Sequence, residues 1–269
     1  MRRAPAPAKI NLALVVGPTR ADGKHELVTV YQRVDLADRV AVARGDALRV
    51  DGFPADTLVR RALSALAAAA SVAPRWHATI DKRVPVAAGL GGGSSDAATA
   101  LRLANETLAE PLPRERMHDL AAAVGADVPF FFEPGPQLGT GDGSTLEALD
   151  LPQDYFVLLF LPNGETKPST ADVYARFDGA ACFEERRQRL LAAARAARQA
   201  RDLAGFPPND LASSPFAEEL RELGAFRADV TGAGPTVYAL FHHRAHAERA
   251  RDVLRVRGRV WITVPAWYG

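Results

Sequence analysis

The sequence predicts an α+β protein made of two units. Three observations carry that expectation. Strand-like and helix-like stretches mix along the chain without strict βαβ alternation. A Gly-, Pro- and Asp-rich stretch over 133–154 interrupts the pattern near the middle. A length of 269 residues allows one large domain or two modest ones. The boundary is therefore placed after residue 150, giving units 1–150 and 151–269. A hydrophobic share of 48% is enough to close a core around a cleft.

The first element is a strand over 8–16, with Ile10, Leu12, Leu14 and Val16 on one face and Lys9, Asn11 and Ala13 on the other. Strand propensity continues at 29–34 and 39–42. Residues 57–73 are Ala/Leu-rich, and Leu58, Ala62 and Leu66 recur at helical spacing. Trp76, Ala78 and Ile80 alternate as in a short strand. The run Pro85-Val86-Ala87-Ala88-Gly89-Leu90-Gly91-Gly92-Gly93 is too glycine-rich for regular structure. Ser94-Ser95-Asp96 then offers N-cap chemistry for a helix with Ala97, Leu101, Ala104 and Leu108 inward. Another helix covers 114–124, with Met117, Leu120, Ala121 and Val124 inward and Gly125 at its C′ position. The second unit opens with a strand at 155–161, followed by helices near 170–177 and 184–203. Two strands within 226–241 are joined by Thr231-Gly232-Ala233-Gly234-Pro235, and a helix (245–256) and a strand (260–264) close the chain.

Composition narrows the function. A net charge of +1 provides no field for nucleic acid or an anionic membrane. One cysteine, Cys182, excludes an intramolecular disulfide and an all-thiolate metal site, and suits a reducing cytoplasmic setting. The basic start meets Lys9 before any apolar targeting core develops. Only four of the 33 basic residues are lysines: Lys9, Lys24, Lys82 and Lys167. A lysine kept against so many arginines hints at a need for a compact ammonium.

The Gly-rich loop is the strongest chemical signal. Glycines at 89, 91, 92 and 93 let backbone N–H groups approach an anion, and the next helix adds its positive end. Ser94 and Ser95 supply hydroxyls for phosphate or Mg²⁺. The loop is neither a Walker A motif, which ends in Gly-Lys-Ser/Thr, nor a dinucleotide fingerprint. Lys9 is suited to neutralising a transferring phosphoryl group, and Asp127 to accepting a hydroxyl proton. Each also has a bland reading, as a solvated lysine and as a turn-capping aspartate before Pro129. The segment 231–235 is either a hairpin turn or a second loop closing on a nucleotide, and the turn is favoured. Histidines 242, 243 and 246 lack a convincing ligand partner, and the arginines of 186–201 read as the solvated face of an amphipathic helix.

At these motifs the chain resembles the GHMP small-molecule kinases, in the branch whose alcohol substrate carries a cytidylyl group. The resemblance runs over essentially the whole chain. It rests on Pro7-Ala8-Lys9-Ile10-Asn11-Leu12, Asp22-Gly23-Lys24-His25-Glu26-Leu27, Gly89 to Ala98, Gly125-Ala126-Asp127-Val128-Pro129-Phe130-Phe131, Ser169-Thr170 with Tyr174, Asn209-Asp210-Leu211, and Thr231 to Pro235. It implies a two-domain α+β kinase with the active site in the interdomain cleft. By the same resemblance, Lys9 and Asp127 are the catalytic pair, Pro85 to Ser95 wraps the phosphates of ATP, and Mg²⁺ assists. Asn11, His25, Thr170 and Tyr174 contact the cytidylyl substrate, with the aromatic ring stacking on cytosine, and the product feeds isoprenoid precursor synthesis. The chain departs from the pattern at Lys24, where a second base-covering tyrosine is usual, and at Ala87, where glycine is usual. The rival readings are a GHMP kinase for homoserine, mevalonate or a sugar, and a nucleotide-binding module without catalysis. The oligomeric state is not legible.

Overall fold

The structure, a computed structural model, describes residues 1–53, 57–164, 170–175, 177 and 182–266. β1 (Arg2–Thr19) and β2 (His25–Arg44) form a long antiparallel pair, so the separate strand signals at 29–34 and 39–42 belong to one strand. β3 (Arg49–Asp51) runs parallel to β4 (Trp76–Asp81), which pairs with the second half of β2. The hairpin of β5 (Gln137–Gly141) and β6 (Thr145–Ala148) adds to the first half of β2. This hairpin lies in the stretch that reads as irregular, because its glycines and aspartate hide a short alternating pattern. Among the described residues β1 pairs only with β2, which lets Pro5 and Pro7 stand in a strand edge that needs no N–H.

The apolar face expected of β1 is corrected by a bulge. Asn11 pairs with Tyr31 and Ala13 with Val30, leaving Leu12 as the extra residue. The bulge shifts the alternation by one. Ala8, Ile10, Leu12, Ala13 and Val15 therefore enter one core, while Leu14 and Val16 pack with Leu27 on the other face. Lys9, Asn11 and Leu14 end up lining the same cleft.

Against the sheet lie α1 (Leu58–Ala69), α2 (Gly92–Asn105) and α3 (Arg114–Val124), which close a core with Trp76, Ile80 and Leu101. Gly125 ends α3 in extended backbone, φ 177°, rather than in the left-handed form expected of a C′ glycine. A 3-10 turn over Pro129–Phe132 follows.

The second sheet is antiparallel, ordered β10 (Gly258–Thr263), β7 (Phe156–Pro162), β9 (Val237–Phe241) and β8 (Arg227–Val230). Of the helices in this half, α4 (Thr170–Ala175) sets Tyr174 against Leu14, Val16 and Leu27 of the first sheet, α5 (Phe183–Ala196) enters the core between the sheets, and α6 (Pro215–Glu222) and α7 (Arg244–Leu254) pack on the second sheet. The helix expected over 184–203 stops at Ala196. There the Asp202 carboxylate accepts the N–H groups of Arg198 and Gln199 and starts a separate 3-10 turn. The α6 helix is an addition to the expected elements, although Ser214 at its N-cap and Pro215 at its first position mark a helix start in the sequence.

The sheets share a core. Ile10, Leu12 and Val15 meet Val157, Leu159, Leu190 and Tyr238 in one cluster. Polar bonds stitch the same seam: the Tyr238 hydroxyl donates to the Leu12 carbonyl, and Asp210 accepts the Val16 N–H. No described helix is long and apolar enough to cross a membrane.

Candidate active site

A cleft of about 760 Å³ opens where β1, the Gly-rich loop and the segment after α3 meet. Directly opposed residues of an antiparallel pair share a sheet face. The pairing of Asn11 with Tyr31 and of Lys9 with Arg33 therefore gathers Lys9, Asn11, Thr29, Tyr31 and Arg33 on one face. Lys9 is almost fully buried. Its Nζ donates to Asn11 Oδ1 at 2.8 Å, stands 3.2 Å from Asp127 Oδ2 and lies 5.3 Å from the Tyr31 ring centre. Asn11 Nδ2 donates to Thr29 Oγ1, which donates to the Ala13 carbonyl, so the amide is oriented with its oxygen toward the lysine. The Tyr31 hydroxyl donates to Asp127 Oδ1 at 3.1 Å. Burial, followed by the charge of Asp127, holds the Tyr31 phenol well above its usual range, so it remains a donor. Arg33 donates to the carbonyls of Phe130 and Glu133 and stacks on Phe130, securing the turn just beyond Asp127.

Residues 85–94 line the cleft, whereas Ser95 is buried behind it. The expected cap is corrected. The helix begins two residues before Ser94, and Gly91 caps it at φ +67° without a side-chain bond. A Cβ at Gly91 would lie 2.8 Å from Lys9 Cγ, so the glycine also gives the lysine its space. Ala87 takes φ +54°, the left-handed form a glycine would adopt without strain. The 231–235 segment is the β8–β9 turn, and it also reaches the site. Thr231 Oγ1 accepts the Asn11 N–H and lies 3.4 Å from the Gly89 carbonyl, and Gly232 and Ala233 line the cleft.

At the far end stand Lys24, His25 and Tyr174. The His25 ring nitrogen Nδ1 lies 2.9 Å from the Gly17 carbonyl, and its ring centre is 5.8 Å from Tyr174 and 5.9 Å from Phe177. Thr170 begins α4, but its side chain lies outside the described residues, as does Ser169. Lys24 is pinned: its Nζ meets Asp142 Oδ2 at 2.5 Å. Burial pushes the Asp142 carboxyl up, but bonds from Lys24 and Ser144 outweigh it and leave it at about 2. Asp142 is therefore a permanent anion at the mouth of the site.

Sequence reasoning missed two groups here. One is Tyr31, which reads as one more strand aromatic. The other is the cluster of Lys82 with Asp38 and Asp96, at 2.5 and 2.8 Å. Asp38 also accepts the N–H groups of Arg83 and Val84, tying down the base of the Gly-rich loop. Burial, with Asp38 beside it, raises Asp96 to about 7 against the opposing pull of Lys82. The scarcity of lysine was the available signal. Lys9, Lys24 and Lys82 all line this cleft, each against an aspartate, and Lys167 falls outside the described residues.

Known proteins match this chain over most of its length. Residues 57–135 match the GHMP kinases N terminal domain and residues 184–259 the GHMP kinases C terminal family. A 4-diphosphocytidyl-2-C-methyl-D-erythritol kinase of Geobacter sulfurreducens is 36% identical over 94% of both chains. One from an Anaeromyxobacter species is 39% identical over 91% of this chain and 84% of its own. A crystal structure of 4-(cytidine 5'-diphospho)-2C-methyl-D-erythritol kinase superposes with a TM-score of 0.79 at 30% identity, covering 98% of this chain and 100% of that one. A mevalonate kinase structure shares the fold alone, with a TM-score of 0.74 at 12% identity over 98% of this chain and 99% of its own.

Proposed function

The chain belongs to the GHMP kinases, in the 4-diphosphocytidyl-2-C-methyl-D-erythritol kinase family, and from that membership we propose that it transfers the γ-phosphoryl group of ATP to the 2-hydroxyl of that cytidylyl alcohol. The observation that carries the reading is the Lys9–Asp127 pair, 3.2 Å apart, facing the same cleft as the Gly-rich loop. Asp127 is the open member, with about a third of its side chain exposed, and would accept the substrate proton. The freed oxygen bonds to the γ-phosphorus as the bond to the β-phosphate oxygen breaks, and ADP leaves. Lys9, buried and held by Asn11, would stabilise the charge on the transferring group.

The loop from Pro85 to Ser94 and the start of α2 would hold the phosphates of ATP through backbone N–H groups. Mg²⁺ fits this end of the site. Asp96 Oδ1 is buried without a hydrogen-bond partner among the described residues, and Ser94 and Asp96 both line the cleft. A magnesium ion carried on phosphates needs only one or two protein oxygens, which Ser94 and Asp96 would supply. When bound, it neutralises phosphate charge.

Asn11, Lys24, His25, Thr170 and Tyr174 would receive the cytidylyl alcohol, with the base against the His25–Tyr174 wall. In this reading unit 1–150 carries the catalytic pair and the ATP loop, and unit 151–269 supplies Tyr174 and the turn at 231–235. The acceptor is a small molecule rather than nucleic acid, and the reaction is cytoplasmic.

The test is ADP release by the purified protein with Mg-ATP, offering the cytidylyl alcohol beside mevalonate, homoserine and galactose. Turnover confined to the cytidylyl alcohol is expected. Turnover with another alcohol alone, or with none, would overturn the proposal.

A further inference from the structure

Tyr31 sits at the centre of the site without belonging to the Gly-rich loop, to the lysine–aspartate pair or to the aromatic wall. The residue is only 2% exposed, yet its hydroxyl ends on the one carboxylate oxygen of Asp127 that Lys9 does not face. The two donors therefore meet different oxygens: Tyr31 meets Oδ1 and Lys9 meets Oδ2.

The surroundings are shaped around that hydroxyl. Tyr31 pairs across the sheet with Asn11 on one side and with Gln137 of β5 on the other, so its direction is set by register. Phe130 supports the ring from the turn after Asp127, with centres 4.9 Å apart. The β5–β6 hairpin withdraws to make room. A Cβ at Gly139 would fall 2.5 Å from the Tyr31 ring, and one at Gly143 would fall 2.6 Å from its hydroxyl. A phenylalanine would fill the core equally well and would not need the space beside Gly143. The hydroxyl is thus accommodated specifically, and the acceptor it finds is Asp127.

Resting on Asp127 as proton acceptor, we propose that Tyr31 is a positioning residue for phosphoryl transfer. Its hydroxyl and Lys9 Nζ hold Asp127 from opposite ends of the carboxylate and fix its plane toward the cleft. A carboxylate oxygen accepts more than one hydrogen bond, so each oxygen keeps capacity for the substrate hydroxyl. Without Tyr31 the side chain is held at one oxygen only. It can then turn about its last bond, and productive encounters with the hydroxyl become rarer.

The experiment is a kinetic double-mutant cycle on ADP release with Tyr31→Phe, Asp127→Asn and the double variant, with thermal unfolding of each as a check on folding. Tyr31→Phe should lower kcat about 10-fold while leaving KM for both substrates within about twofold. In the Asp127→Asn background the same substitution should change kcat by less than about twofold, because the group it positions is gone. An equal loss in both backgrounds would overturn the proposal, as would a raised KM with kcat unchanged. If the wild-type protein turns over only another alcohol of the panel, the reading of the substrate fails. The cycle run on that alcohol still decides the role of Tyr31, since the bond lies wholly within the protein. No ADP release with any acceptor would overturn both.

Discussion

Two lysines in one cleft are each paired with aspartate, and the pairs are inverted copies of each other. In the first, Lys9 is buried, with 4% of its side chain exposed, and Asp127 is open at 34%. In the second, the Asp38 and Asp96 side chains are exposed by only 0% and 1%, and the Lys82 side chain is the more open member at 15%. A proton acceptor must be reachable by its substrate, so its partner is the group that is hidden. Asp38, which anchors the loop by accepting the N–H groups of Arg83 and Val84, must not be competed for by water, so it is the group that is hidden. The same ion pair serves chemistry or architecture according to which partner faces the cleft.

The strongest way to break this contrast is at the open carboxylate. Asp127→Asn should lower kcat by about 10²–10⁴ while ATP affinity changes little. Lys9→Ala should weaken the chemical step by a similar factor. Wild-type turnover in Asp127→Asn would remove the distinction.

The buried cluster should respond in stability instead. Lys82→Met leaves two sealed carboxylates without their cation, and breaking such a pair costs about 3–5 kcal/mol. Urea unfolding should show the loss growing from pH 6 to pH 8: Lys82 holds Asp96 down to about 7 against burial and Asp38, so without it that carboxyl moves higher and its proton is kept in the fold at a rising cost as the pH climbs. A loss equal at both pH values would argue against a shared charge problem.

A third lysine separates binding from both roles. Lys24→Tyr should act on KM for the cytidylyl alcohol, by an amount equivalent to about 1–3 kcal/mol, with kcat preserved. An unchanged KM would show that Lys24 has no part in base recognition.

The smallest expected effect is at its partner. Asp142 sits at about 2 in the fold, below the ordinary carboxylate value of 3.8. The stability it contributes is therefore present above about pH 4 and is lost as pH falls toward 2. Asp142→Asn should flatten acid unfolding across that window, read by tryptophan fluorescence, with little change at neutral pH.

The sequence by itself determined the α+β class, the places of α1 and α3, the Gly-rich loop, and Lys9 and Asp127 as the residues to test. Those are local signals, since helical periodicity and clustered glycines are written within a few residues of each other. Only the tertiary structure decided what faces what. One bulge at Leu12 put Leu14 rather than Ala13 beside Lys9 and Asn11 on the cleft side of β1, a matter of register that alternation cannot reveal. The Tyr31–Asp127 bond joins residues 96 apart, and Lys24–Asp142 joins residues 118 apart. The core shared by the two sheets likewise brings Ile10 to Val157 and Tyr238. Such pairs leave no mark in either local stretch, because each partner looks ordinary until the sheet register and the helix packing bring the two together.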